Sequence, residues 1–376
     1  MSAAYWRRAM NSGAALAERP RQAVPQAVAP VAVDPYPDSD APRWLKFLWQ
    51  SLSARHVFVA ALLLIYPFAA SPFFTYQVGA QSLVLGLIAL SLTFLGGYGG
   101  MVSLAQLTVA GIAGYALAIL GASATTISLG WPWWAAVPFA IGIATVCATL
   151  IGWLSVRTEG IYTIMITLAI GVAFYYLVLQ NYSVFNGFQG FQKVYPPLVF
   201  GIDWRSPVPF YFLALFWAMA GYLLVKWVIR TPFGIALQGV RDNPRRMNAL
   251  GFHVTAHRVT AYALSGFMAA IGGVLLVWYN GLITPGSVGT SWLINILVIA
   301  VLGGMKHPIG AFLGAVVFVL LQTFAIDVLG AGARERFNLV IGGVFLAIVL
   351  FSPDGLLGLW AKLRRSFGPT VARTRP

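Results

Sequence analysis

From residue 56 to residue 156 the chain carries no Asp, Glu, Lys or Arg, and four further stretches share that property: 160–192, 206–225, 259–305 and 337–353. One charged side chain at the centre of a bilayer costs about 2.5–3.5 kcal/mol on insertion scales, so gaps of this length are what hydrocarbon demands. A soluble domain carries roughly 25% charged residues. Here the figure is 9%, against 59% apolar residues and a mean hydropathy of +0.79. There is too little polar surface to cover a globule, and too much apolar surface for most of the chain to be disordered. The net charge of +14 sits in short segments between neutral runs, so it does not form a nucleic-acid-binding face. The expectation is an all-α polytopic membrane protein.

A span needs about 20 apolar residues at 1.5 Å rise each. The candidates are 56–71, 78–95, 101–121, 133–154, 161–180, 207–229, 258–280, 291–303, 308–328 and 337–351, which makes about ten transmembrane helices. The first, eighth and tenth are short and could be tilted, broken or half-inserted. Residues 1–42 read as a disordered tail, rich in Ala, Pro and Arg. No apolar run follows Arg7 and Arg8, so a cleavable signal peptide is not expected. Residues 43–55, with Trp44, Lys46 and Trp49, read as an interfacial helix. The apolar membrane region is 56–360, and 361–376 forms a basic tail. Lys and Arg mark cytoplasmic loops. Seven precede the first span, six lie in 226–258 and five in the C-terminal tail. Even numbers of spans separate these segments, which places both termini in the cytoplasm.

Three motifs stand out. Gly96-Gly97-Tyr98-Gly99-Gly100 precedes Ser103, Gln106 and Thr108. Four glycines in five residues should break a helix, and broken backbone at membrane depth is tolerated where it is buried in protein or lines a wet cavity. A tight cytoplasmic turn with close helix packing is the other reading. Ser103, Gln106 and Thr108, at offsets of three and five residues, share about one helix face and are the candidate passage-lining residues. The second motif is the cytoplasmic segment 231–251. Asn243-Pro244 is a helix N-cap followed by Pro at the first helical position, and Gly251 is a C-cap, which predicts a short helix at about 244–250. An ordered helix in the largest cytosolic loop offers a partner a docking element; a solvated loop held inside by its arginines is the alternative. The third motif, Gly303-Gly304 followed by Gly310-x-x-x-Gly314, reads as close helix packing. The glycine turns at 96–100 and 303–304 also hint at internal repetition, as transporter halves often show.

His253 and His257 are spaced i, i+4, but no Glu lies between them and no third ligand is evident, so a metal site is not expected. The single cysteine, Cys147, lies in an apolar run and reads as a small buried hydrophobe. Acids are nearly absent from the apolar spans, which leaves no Ser-His-Asp group to assemble. No Walker A sequence is present, so the chain holds no ATP site of its own.

Taken in order, these features resemble the permease family of ABC importers for branched-chain amino acids, in its longer, LivM-like type. Arg157-x-x-Gly160-x-Tyr162 with Thr167-Leu168 looks like the start of the family's fifth span, and Gly187 and Gly190 look like its periplasmic glycines. Gly234, Arg241-Asp242-Asn243 and Ala249-Leu250-Gly251 look like its coupling segment. Gly281, Pro285, Ser291, Gly303-Gly304, Gly310 and Gly314-Ala315 continue the series to Phe351-x-Pro353-x-Gly355-Leu356-Leu357-Gly358. The likeness covers about 78–360. The chain reads Ser103-Leu104-Ala105-Gln106 where the family usually has Ser-Leu-Gly-His, and Pro244-Arg245-Arg246 and Lys306 also depart from the usual pattern.

The resemblance implies a non-enzymatic permease subunit of the bacterial inner membrane, forming half of a translocation path. A second permease would complete it, two cytoplasmic ATPases would hold ATP and Mg, and a periplasmic solute-binding protein would deliver substrate. Gly234, Arg241, Asp242, Asn243, Ala249 and Gly251 would carry coupling to the ATPases. Branched-chain amino acids come first as substrate, with urea, short amides and small carboxylic or aromatic acids carried by similar permeases. The rival class is an ion-coupled secondary transporter. That class usually needs a titratable group at mid-membrane, and the apolar spans offer none. A membrane-embedded enzyme is disfavoured by the same lack.

Overall fold

The computed structural model describes residues 63–125, 127–158, 160–198, 201 and 203–329, with 339, 342–343, 345–346, 350 and 355–358. Residues 56–62 of the first expected span, nine of the fifteen residues of the tenth, and the segments 1–42, 43–55 and 361–376 lie outside them. The described chain is helical: α1 (Phe74–Tyr98), α2 (Gln106–Leu120), α3 (Trp133–Ser155), α4 (Ile161–Gln180), α5 (Pro207–Arg230), α6 (Pro232–Asp242), α7 (Pro244–Ala249), α8 (Val254–Asn280), α9 (Thr290–Gly303) and α10 (Pro308–Leu329). Among the described residues, five helices are long and apolar enough to cross a membrane: α1, α3, α4, α5 and α8. The protein is therefore an all-α polytopic membrane protein, and the spans read from 133–154, 161–180 and 207–229 match their helices within a residue.

Three elements differ from that reading. The expected span 101–121 is helical only from Gln106 to Leu120, because the backbone from Gly99 to Ala105 is irregular and Gly100 takes φ +69°. The expected spans 291–303 and 308–328 form one bent pair, with α9 and α10 meeting at 118°. At 14 residues α9 is about 21 Å long, short of a 30 Å hydrocarbon core. The pair packs through its glycines: a Cβ on Gly303 would run into the Gly310 carbonyl, and one on Gly314 into that of Ile299. The third difference is α6, a helix the sequence reading left inside a loop.

Helix α1 is the central post. Every residue from Gln81 to Thr93 is buried, on all sides of the helix, as expected of a helix whose apolar residues run all round it. It packs against α5, α8, α9 and α10. Helices α3 and α8 meet along small residues. Ala136, Ala140, Ala144 and Ala148 form a stripe at spacing four and are all buried. Lipid tails offer no hydrophobic drive for helix association, so close backbone approach carries the contact. Gly266 of α8 lies so near Ala148 that a Cβ there would collide with the alanine methyl. On the opposite face of α3, Trp134, Phe139, Val146, Leu150 and Trp153 are exposed, which suits a lipid-facing surface.

At the end of α1 away from α6, three connections are stitched together. Phe191–Gln192 (β1) pairs antiparallel with Leu282–Ile283 (β2). The Val194 amide donates to Gly281 O at 3.0 Å, and the Ala124 amide donates to Gln192 O at 3.1 Å. Phe191 and Ile283 are buried, so this non-helical backbone is enclosed by protein.

Candidate coupling and passage site

The irregular segment between α1 and α2 places three polar side chains in the interior. Ser103, Gln106 and Thr108 are each at most 2% exposed. The Ser103 hydroxyl accepts the Ala105 amide at 3.2 Å, and Thr167 of α4 accepts the Leu104 amide at 3.1 Å. These bonds satisfy donors that the helix start would otherwise leave open. Gln106 bridges two helices: Ser91 of α1 stands 3.1 Å from its Oε1, and its Nε2 donates to Ser265 of α8 at 3.2 Å. Ser265 in turn donates to Tyr262 O at 3.1 Å. Thr108 Oγ1 is buried without a hydrogen-bond partner among the described residues, opposite Gly171 of α4. The structure thus brings Ser103, Gln106 and Thr108 into one closed seam among α1, α2, α4 and α8. None of the three faces solvent in this conformation.

The two glycine turns meet. A Cβ on Gly97 would strike the Met305 carbonyl, and the Tyr98 hydroxyl donates to Lys306 O at 3.1 Å. Into the same point reaches Arg241, the penultimate residue of α6. Its Nη1 donates to Gly97 O at 2.6 Å. Gly100 lies beneath the same side chain, where a Cβ would come within 2.5 Å of Arg241 Cγ. Between the two readings of Gly96–Gly100, the structure has a tight turn with close packing.

Helix α6 follows α5 after one break. Thr231 is its N-cap, accepting the Gly234 amide at 3.3 Å, with Pro232 at the first position. Gly234, Ala236, Leu237 and Val240 face inward, and Gly234 has no room for a Cβ against Val228 O. Asn243 ends α6 and caps α7, its Oδ1 accepting the Arg246 amide at 2.9 Å, and Gly251 closes the segment at φ +90°. Helix α7 therefore forms as the Asn-Pro and Gly signals predict, ending at Ala249. None of its residues is buried. Ile235 (63% exposed) and Leu250 (64%), with exposed Phe252, leave apolar groups in solvent beside Arg245 and Arg246. The candidate coupling residues divide accordingly: Gly234 and Asn243 build the two helices, Ala249 and Gly251 end the second, and Arg241 connects the segment to α1. Asp242 sits beside Arg241 at 2.8 Å, both well exposed.

Sequence reasoning missed α6, Ser91 and Ser265. The signal for α6 was present, since Thr231-Pro232 repeats the cap-then-proline pattern of Asn243-Pro244. Ser91 and Ser265 had no local signal; only the packing of α1 and α8 makes them partners of Gln106. His257 stacks on Phe233 with ring centroids 5.6 Å apart. Among the described residues no three His, Cys, Asp or Glu side chains are grouped to hold a metal.

The family described as branched-chain amino acid transport system, permease component, matches residues 75–349. The high-affinity branched-chain amino acid transport system permease protein LivM of Salmonella typhimurium is 24% identical over 329 residues, covering 81% of this chain and 75% of that protein. Its Escherichia coli counterpart matches to the same extent. The autoinducer 2 import system permease protein LsrC of Escherichia coli is 30% identical over 176 residues, 45% of this chain and 48% of that protein. No solved structure matches the chain.

Proposed function

The chain belongs to the family of permease components of branched-chain amino acid transport systems, and on that premise we propose that it forms half of the path through which an ATP-driven importer takes up branched-chain amino acids or related small polar solutes. It is a permease subunit of an ABC importer, a transport component that works with other subunits. The proposed partners are a second permease, two cytoplasmic ATP-binding subunits that hold ATP and Mg, and a periplasmic solute-binding protein. The proposed setting is the bacterial cytoplasmic membrane, crossed about ten times with both termini inside. Residues 56–360 would form the permease domain, preceded by the 1–42 tail and the 43–55 interfacial helix and followed by the basic tail 361–376.

The observation that carries this reading is the grip of α6 on the turn between α1 and α2. Arg241 binds Gly97 O at 2.6 Å. Gln106, nine residues further along, holds α1 to α8. A push on α6 or α7 by an ATPase is thereby delivered to the backbone that leads into the seam. Interhelical hydrogen bonds in membrane proteins average about 0.6 kcal/mol, weak enough for α1 and α8 to part during a transport cycle. Ser103, Gln106 and Thr108 would line the passage in the parted state. The exposed apolar groups of α6, α7 and Phe252, with their arginines, would form the docking face.

Replacing Arg241 and Asp242 together by Ala tests the reading. We expect uptake and substrate-stimulated ATP hydrolysis by the assembled complex to fall while membrane insertion is kept. Wild-type values of both would sink it.

A further inference from the structure

At the end of α1 remote from α6, a cavity of about 440 Å³ opens between α1, α8, the 282–287 segment, α9 and α10. Its size falls in the range of small-molecule sites. No charged side chain is among the described residues that line it; the polar ones are amides and hydroxyls. Tyr279 organises one wall. Its ring stacks on Tyr76 with centroids 4.7 Å apart, and its backbone carbonyl accepts the Tyr76 hydroxyl at 2.7 Å. Its own hydroxyl stands 3.1 Å from Gln77 Oε1 and 3.5 Å from Gln81 Oε1. One hydroxyl has one proton, so the two glutamines share it, and neither amide nitrogen has a hydrogen-bond partner among the described residues. Across the cavity, Gln322 Oε1 of α10 is buried and has no hydrogen-bond partner among the described residues. A buried carbonyl without a donor is costly and rare in native structures, and calls for a group that completes it. Leu85, Leu276 and Trp292 supply apolar wall between the amides.

We propose that this cavity is a solute-binding site of the permease itself, selective for small solutes of zero net charge that present an N–H donor to Gln322 Oε1 beside an apolar body. An amino-acid zwitterion or a primary amide satisfies both requirements. A lone carboxylate satisfies neither, because an anion would be desolvated among lining residues that carry no cation. The site points toward the seam: Leu85 at its inner wall is six residues, about 9 Å, along α1 from Ser91. The inference rests on the permease reading above and adds that selection by charge occurs in this chain as well as in a delivering protein.

The test uses the assembled permease and ATPase complex in lipid nanodiscs without the solute-binding protein. Binding of radiolabelled leucine is measured, with isovaleramide, isovalerate and isoamylamine as competitors. Saturable leucine binding is expected, competed by isovaleramide and not by isovalerate. Gln322→Leu should weaken it about tenfold or more, with the near-isosteric Gln322→Met as the second variant should Leu impair assembly. Gln322→Glu should shift competition toward the cation isoamylamine. Absence of saturable binding of both leucine and isovaleramide, equal competition by isovalerate, or unchanged affinity in both the Leu and Met variants would each overturn the site. ATP-driven uptake by the same complex with its solute-binding protein is measured in parallel. Uptake without cavity binding defeats the site and leaves the permease reading intact, whereas loss of ATP-driven uptake for every solute defeats the permease reading.

Discussion

Gln106 holds α1 and α8 together with the two ends of one amide, and its carbon chain is therefore enclosed. A cysteine at that position, in a chain lacking Cys147, should be protected from a small water-soluble thiol reagent in the resting complex and become reactive during ATP-driven turnover. Protection in every nucleotide state would remove Gln106 from the passage. Arg241 and Asp242 separate by magnitude. Their ion pair is exposed, and such pairs contribute about 0–1 kcal/mol. The Arg241 bond to Gly97 O is charge-assisted and directed at backbone, a type that contributes about 1.5–3 kcal/mol. Asp242→Asn should therefore keep more than about half of wild-type uptake, while Arg241→Ala should lose about tenfold, at matched membrane expression. Equal losses in the two variants would mean that the ion pair, not the hold on α1, carries the coupling. Of these residues, Gln106 and Arg241 were recognisable in the sequence, one by its position after a glycine break and one by the family resemblance. Their partners were not, since Ser91 lies 15 residues and Gly97 lies 144 residues away along the chain.

Helix α3 presents two faces whose chemistry is set by what they touch. Its alanine stripe meets α8, and its tryptophans and phenylalanine lie opposite. Gly266 is the tightest point of that contact, and a larger side chain must push the helices apart. Gly266→Val should lower the thermal stability of the detergent-solubilised protein by the equivalent of about 1–3 kcal/mol, the usual cost of overpacking. The substitution Phe139→Leu on the exposed face of α3 should change it by less than about 0.5 kcal/mol. Similar losses for the two would mean that the α3–α8 contact is looser than the structure has it. At this scale α6 is the instructive omission. Its cap and proline were readable at Thr231-Pro232, but its apolar residues, Ile235, Ala236, Leu237 and Val240, fall on two sides, and only Ala236, Leu237 and Val240 are buried. Which side faces the protein depends on α5 and the glycine turn, and not on the segment itself.

Across the whole molecule, deletion of residues 2–42 should leave uptake within about tenfold of wild type at matched expression. That segment has few large apolar residues to offset chain entropy, and Arg43, Lys46 and Arg55 remain to favour the proposed orientation with the N-terminus inside. A larger loss would give the tail a docking or regulatory role. The sequence by itself determined the solvent of this protein. Long charge-free runs can rest only in lipid or in a dry interior, and a 20-residue apolar run closes its own backbone hydrogen bonds as a helix, whatever surrounds it. Helix positions such as 161–180 were accordingly legible to the residue. The tertiary structure decided the rest. The irregular segment before α2, the 118° bend between α9 and α10, the β1–β2 pairing, and the sealing of Ser103, Gln106 and Thr108 all depend on residues distant in sequence. In lipid an apolar side chain is satisfied in many arrangements, so hydropathy places a helix in the membrane without choosing its neighbours. Backbone approach at glycine and the pairing of a few polar groups make that choice, and both exist only once the helices have packed.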